Sequence, residues 1–171
     1  GLRQQALKSG LHGLLDFQGS IMTDSGTFQN YVYGDVTLDP VEIVQFQRDI
    51  GSDIGTILDI FGTPGQTKEE AAEGVKETIR RAEESIPHKG DMLLACPVQG
   101  SVYPDLREHC ARVLGSLDGD FYPIGGVVPL MENQRYSDLV CCILAAKRGL
   151  DPSKPVHLFG AGHPLVFSLA A

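Results

Sequence analysis

Five short apolar runs end the same way, each passing into Gly, Asp, Gln or Ser: SIMTDSG (20–26), DIGTILDIFGTPG (53–65), MLLACPVQGS (92–101), FYPIGGVVP (121–129) and PVHLFGAGHP (155–164). Their ends recur at roughly 30 to 40 residues, the length of one strand-plus-helix unit. A strand that is followed each time by a helix pairs with the next strand in parallel, so the repeat predicts an α/β fold.

The intervening segments carry helix signals. LDPVEIVQFQRDIG (38–51) opens with Asp39-Pro40, a capping residue followed by proline at the first helical position. TKEEAAEGVKETIRRAEESI (67–86) has Thr67 as cap, acids in its first turn and Arg80-Arg81 toward its end, in the sense the helix dipole favours. YPDLREHCARVLGSL (103–117) and YSDLVCCILAAKRGL (136–150), the latter starting at Ser137 or Asp138, complete the set.

Strand ends rich in Gly and polar residues predict a barrel whose C-terminal face carries the chemistry: a partial (β/α)8 TIM barrel of about five units. A doubly wound sheet is the alternative, disfavoured because no strand runs into G-x-G-x-x-G. An eight-unit barrel takes about 250 residues, so residues 1–171 read as a single incomplete domain, a fragment or one half of a two-chain protein. An open sheet of this kind exposes an edge and an uncovered interior, which predicts poor solubility or self-association.

At 42% hydrophobic and 21% charged the chain reads as soluble and globular. No apolar run reaches the roughly 18 to 20 residues of a membrane helix, and GLRQQALKSGLHGLL lacks the features of a signal peptide, so a cytoplasmic protein with no membrane partner is expected. A net charge of −8 without a Lys/Arg-rich run argues mildly against nucleic acid. Cys96, Cys110, Cys141 and Cys142 form no C-x-x-C pair and read as buried reduced thiols, not metal ligands.

One polar group stands out at each strand end: Asp24 and Ser25, Asp59, Gln99, the Gly125-Gly126 pair, then His157 and His163 around Gly160-Ala161-Gly162. On a barrel they converge, and two carboxylates with an amide and open backbone N–H groups suit a planar base such as a purine or pteridine, with Phe28 to stack on it. Each also has a structural reading. Asp24 is ordinary turn chemistry in Asp-Ser-Gly, Gln99 can satisfy loop backbone, and paired glycines serve bulges. Asp59 ends an apolar run and needs a partner or a ligand; His157 and His163 read as structural.

Taken together, TDSGTFQ, VQGS, GGVVP and HLFGAGHP resemble the tRNA-guanine transglycosylase family, most closely its archaeal, archaeosine-forming branch. The resemblance runs from about residue 8, in KSGLHGLL, to Ala171. It implies a modified (β/α)8 barrel that exchanges guanine in tRNA for 7-cyano-7-deazaguanine through a covalent ribosyl-enzyme intermediate. Asp24 matches the family's first catalytic aspartate, described both as nucleophile and as general acid/base. Asp59 matches the aspartate on the base edge, Gln99 the glutamine that hydrogen-bonds the base, and Gly125-Gly126 the turn whose amide meets the base carbonyl. Phe28 and Phe159 match the residues that sandwich the ring, and Ser25 adjoins the aspartate, toward base or ribose.

Such an exchange passes through an oxocarbenium-like ribose that a carboxylate can trap, while a second acid manages the proton of the incoming base. The resemblance places the second catalytic aspartate and the structural zinc beyond Ala171, so no cofactor is expected within the chain and none of its cysteines is given to zinc. It implies tRNA, guanine or a 7-deazaguanine base, and a homodimer or complementary chain as partners, with the chain alone inactive. Two other readings stay open: a non-catalytic base- or RNA-binding subunit of a split or paralogous transglycosylase, and a sugar-directed barrel glycosidase, against which the absence of tryptophan counts.

Overall fold

The structure is a computed structural model that describes residues 1–27 and 39–170. It is a mixed α/β fold. In chain order the elements are α1 (Leu2–Leu15), α2 (Pro40–Asp49), β1 (Ile54–Thr56), α3 (Lys68–Ser85), β2 (Leu93–Ala95) and α4 (Pro104–Ser116), followed by β3 (Tyr122–Ile124), α5 (Val128–Glu132), α6 (Tyr136–Gly149), β4 (Val156–Leu158) and α7 (Pro164–Ala170). A 3-10 turn, Ile86–His88, extends α3.

The helix starts follow from local chemistry. Asp39 accepts hydrogen bonds from the N–H groups of Val41 and Glu42, both at 2.9 Å, ahead of Pro40 in the first turn. Thr67 and Glu70 form a reciprocal capping box at the start of α3. Arg80 and Arg81 lie short of the last turn of α3 and bond Glu77, so ion pairing within the helix, not the dipole, explains them. α6 begins at Tyr136 after Arg135, slightly ahead of the expected start.

All strand pairings are parallel. β1 pairs with β2 in the register Ile54–Leu93, Gly55–Leu94, Thr56–Ala95, and β3 with β4 in the register Tyr122–Val156, Pro123–His157, Ile124–Leu158. Single bridges join the pairs, Ala95 to Phe121 and Val98 to Ile124, and Met22 bridges to Ile54. Five segments thus lie side by side in chain order, each only one to three residues of regular strand. No closed barrel forms among the described residues.

Alternation along the strands sorts the side chains. Leu94, Tyr122 and Ile124 point into a core closed by Val75, Ala82, Cys110, Leu114, Leu139 and Ile143 from the helices. Two elements lack an expectation from sequence. α1 buries only Ala6, leaving Leu2, Leu7 and Leu15 exposed, so it carries no apolar stripe to betray it. α5 is a five-residue helix directly after the glycine pair. Among the described residues no helix is long and apolar enough to cross a membrane.

Candidate functional site

The chemistry gathers where the strands stop. Beyond β1 the chain leaves the ladder: Ile57 still donates to Ala95 O at 3.1 Å, and Asp59 donates to Ile57 O at 3.1 Å, which turns the Asp59 side chain inward. Beyond β2, Val98 bonds Pro123 O at 2.7 Å and Gln99 follows, 2% exposed. The two side chains meet: Gln99 Nε2 donates to Asp59 Oδ2 at 2.5 Å, while Gln99 Oε1 accepts the N–H of Gly62 at 3.2 Å. A carboxylate only accepts and a peptide N–H only donates, so these partners set the orientation of the amide. Gln99 keeps one N–H and one carbonyl lone pair for a ligand.

Burial pushes the Asp59 carboxyl up to about 6; bonds from Gln99 and Thr27 pull it down, and the Asp24 charge raises it slightly. Asp59 is therefore largely ionised at neutral pH yet close to titrating. Such a group can accept hydrogen bonds from the donor edge of a base and take up a proton with little driving force.

The glycine pair makes room for this arrangement. A Cβ on Gly125 would lie 2.3 Å from Gln99 Nε2, and one on Gly126, whose φ is 67°, would lie 2.6 Å from Gly62 O. The N–H of Gly125 is used by Val98 O at 3.1 Å, so the N–H of Gly126 is the one left without an acceptor among the described residues.

Asp24, Asp59, Gln99, Gly125, Gly126 and Phe159 line one pocket of about 310 Å³, a volume at the small end for organic ligands and suited to a planar bicyclic base. Asp24 is exposed, and its Oδ1 accepts the N–H of Ser25 at 2.7 Å. Ser25 is buried and does not line the pocket; its hydroxyl meets Thr27 Oγ1 at 3.1 Å, and Thr27 in turn donates to Asp59 O at 3.2 Å. Ser25 thus braces Thr27 beside Asp59. Phe28 lies outside the described residues.

His157 stacks on Phe121 with centroids 5.6 Å apart and tilts against Phe159 at 5.4 Å, and burial lowers its pKa. His163 accepts the N–H of Leu165 at 3.2 Å, a helix-start role. The pocket wall also includes Thr27, Phe61, Pro97, Pro129 and Glu132, none evident from sequence. Pro129 is the one that local chemistry could have flagged, because a proline three residues after a glycine pair marks a helix start.

Cys96, Cys110 and Cys142 are buried; Cys141 is exposed, against the expectation of burial, because it falls on the outward side of α6. Burial raises the thiols of Cys96 and Cys110 to about 12, which keeps them protonated. Among the described residues no three His, Cys, Asp or Glu side chains converge as metal ligands.

Fold and site together define a parallel α/β protein with a small, mainly apolar pocket that carries a few polar groups at the C-terminal ends of its strands. The family model described as TGT: Queuine tRNA-ribosyltransferase matches residues 1–171, and the chain belongs to that family. It is 53% identical over 169 residues to the tRNA-guanine(15) transglycosylase of Thermoplasma acidophilum, covering 99% of this chain and 26% of that protein. Identity to the protein of the same name from Methanopyrus kandleri is 51%, over 99% of this chain and 37% of the relative. For that of Haloferax volcanii the figures are 52%, 99% and 33%. The chain spans between about a quarter and a little over a third of the length of these relatives.

Proposed function

We propose that residues 1–171 form the base-pocket part of a tRNA-guanine transglycosylase, an incomplete (β/α)8 barrel of five units that exchanges guanine in tRNA for 7-cyano-7-deazaguanine. The observation that carries this reading is the buried Asp59–Gln99 pair set beside Gly126 and facing Asp24 across one pocket. A guanine-like base offers N–H donors on one edge and a carbonyl on the next. Asp59 suits the donors; the spare N–H of Gln99 and that of Gly126 suit the carbonyl. Phe159 supplies an aromatic wall for the ring, and Phe28 is assigned the opposite wall from the family match.

In this reading Asp24 is the carboxylate that meets the reacting nucleoside. The exchange breaks the C1′–N9 bond of the tRNA guanosine as a carboxylate bonds to C1′. The incoming base then displaces that carboxylate from C1′, giving up its N9 proton, while the departing guanine takes one up. Asp59, near its own titration point, holds the base in the tautomer this requires. Zinc, a second carboxylate and part of the surface that grips tRNA are assigned to the parts of the relatives that lie outside residues 1–171, and the partner is a second copy or a complementary chain.

The test uses the full-length gene product that carries these residues. Asp24→Asn is expected to abolish incorporation of labelled guanine into tRNA while leaving binding of free guanine intact. Retained incorporation would remove Asp24 from the chemistry. A wild-type protein that binds guanine but never exchanges it would leave only the base-binding subunit.

A further inference from the structure

Asp59 and Gln99 both lie on irregular backbone just past their strands, so the ladder does little to hold them. The helix after each strand does it instead. Arg107, on α4, is 0% exposed, and among the described residues no carboxylate pairs with it. Its Nε donates to Ser101 O at 2.7 Å and its Nη1 to Val98 O at 3.1 Å, the two carbonyls that bracket Gln99-Gly100. Its Nη2 is buried without a partner, 3.6 Å from where a Cβ of Gly126 would stand. One guanidinium therefore backs both the glutamine loop and the glycine turn.

α3 treats Asp59 in the same way. Thr78, also 0% exposed, accepts the N–H of Ile60 at 3.0 Å and donates to Gly74 O at 2.8 Å. Arg81 Nη1 donates to Leu58 O at 3.2 Å. The peptide groups on either side of Asp59 are thus gripped from the helix behind.

A guanidinium buried without a counter-ion is a poor stabilising device, because its desolvation costs several kcal/mol that two carbonyls only partly offset. What it does well is geometry: a rigid planar fork spans two carbonyls at a fixed separation, which an ammonium cannot do. We propose that Arg107, with Thr78 as its counterpart on α3, is a positioning residue that sets the Asp59–Gln99 pair in register for a base. The proposal rests on the pocket being a base site. Neither residue enters the pocket; both act through the loops they hold.

The Gln99 hydrogen bond favours the ionised form of Asp59, as does the bond from Thr27, whereas the Asp24 charge opposes it. Loosening Gln99 therefore raises the Asp59 midpoint and weakens base binding together. In the full-length gene product, the Asp59 carboxyl would be titrated by carbon NMR and guanine binding measured by calorimetry, alongside thermal melts. Arg107→Lys keeps a cation that reaches one carbonyl. Arg107→Met removes the charge with an apolar chain of similar length, a change that buried sites often accept. Thr78→Val removes the hydroxyl, and Thr78→Ser restores it.

The expected result is an Asp59 midpoint higher by about one pH unit and guanine affinity down roughly tenfold, the 1.4 kcal/mol of one displaced hydrogen bond, in Arg107→Lys, Arg107→Met and Thr78→Val. Thr78→Ser should behave as wild type. Variants that fold and keep the wild-type midpoint would overturn the inference, whatever their melting temperatures. A midpoint that shifts in a protein that never binds guanine would sustain the positioning role and discard the base-site reading.

Discussion

Asp59 and Gln99 are joined by a 2.5 Å hydrogen bond between Oδ2 and Nε2, both side chains more than nine-tenths buried and 40 residues apart in the chain. The amide shields a carboxylate that burial alone would neutralise, and the carboxylate orients the amide. Each keeps the other in the form that the proposed base recognition requires.

Replacing the carboxylate tests that directly. Asp59→Asn places a neutral amide against the Gln99 N–H and loses a charge-assisted acceptor worth about 1.5 to 3 kcal/mol. Guanine affinity should fall roughly 10- to 100-fold by calorimetry. Unchanged affinity would move the base edge elsewhere in the pocket.

The same carboxyl should mark the stability profile. Its folded pKa is raised from 3.8 to about 6, so between those values the folded state binds more protons than the unfolded one. Stability therefore falls as pH rises from about 4 to 6, by about 3 kcal/mol from this group, and the penalty persists at neutral pH. Asp59→Asn removes it. Denaturant melts should show the variant gaining on wild type as pH rises through this window; parallel profiles would contradict the buried, raised carboxyl.

The glycine pair separates binding from folding. Gly125→Ala drives a methyl into the Gln99 amide, the far end of a side chain that can move, so guanine affinity should drop at least about tenfold with a modest change in melting temperature. Gly126→Ala meets the Gly62 carbonyl with a positive φ, so it should cost about 2 kcal/mol or more in stability. Equal effects on both properties from both variants would deny this division.

A control lies far from the pocket. Thr67→Ala removes the capping box of α3 and should cost about 1 kcal/mol in a denaturant melt, with guanine binding unchanged. A matching loss of binding would mean that the start of α3 is coupled to the Asp59 loop.

Much was legible without coordinates because the signals are local. Asp39-Pro40 and the Thr67 cap predict helix starts through bonds made within a single turn, and both are found. The period of the apolar runs predicts parallel pairing in chain order, as observed from Met22 to β4. α1 escaped because it buries only Ala6, and α5 because five residues are too few for a period. The early end of β1 after Thr56 was also hidden, since Ile57 and Leu58 remain apolar and buried beyond it.

By itself the sequence determined which polar groups stand at the strand ends and that the strands run parallel, because caps, glycines and a repeating period act over a few residues. Only the tertiary structure decided that Gln99 donates a hydrogen bond to Asp59, that Ser25 braces Thr27 instead of lining the pocket, and that Thr78 and Arg107 hold the loops from behind. Those relations join side chains from different βα units. Their energies come from burial and from distances of about 3 Å, which exist only once the helices have packed against the sheet.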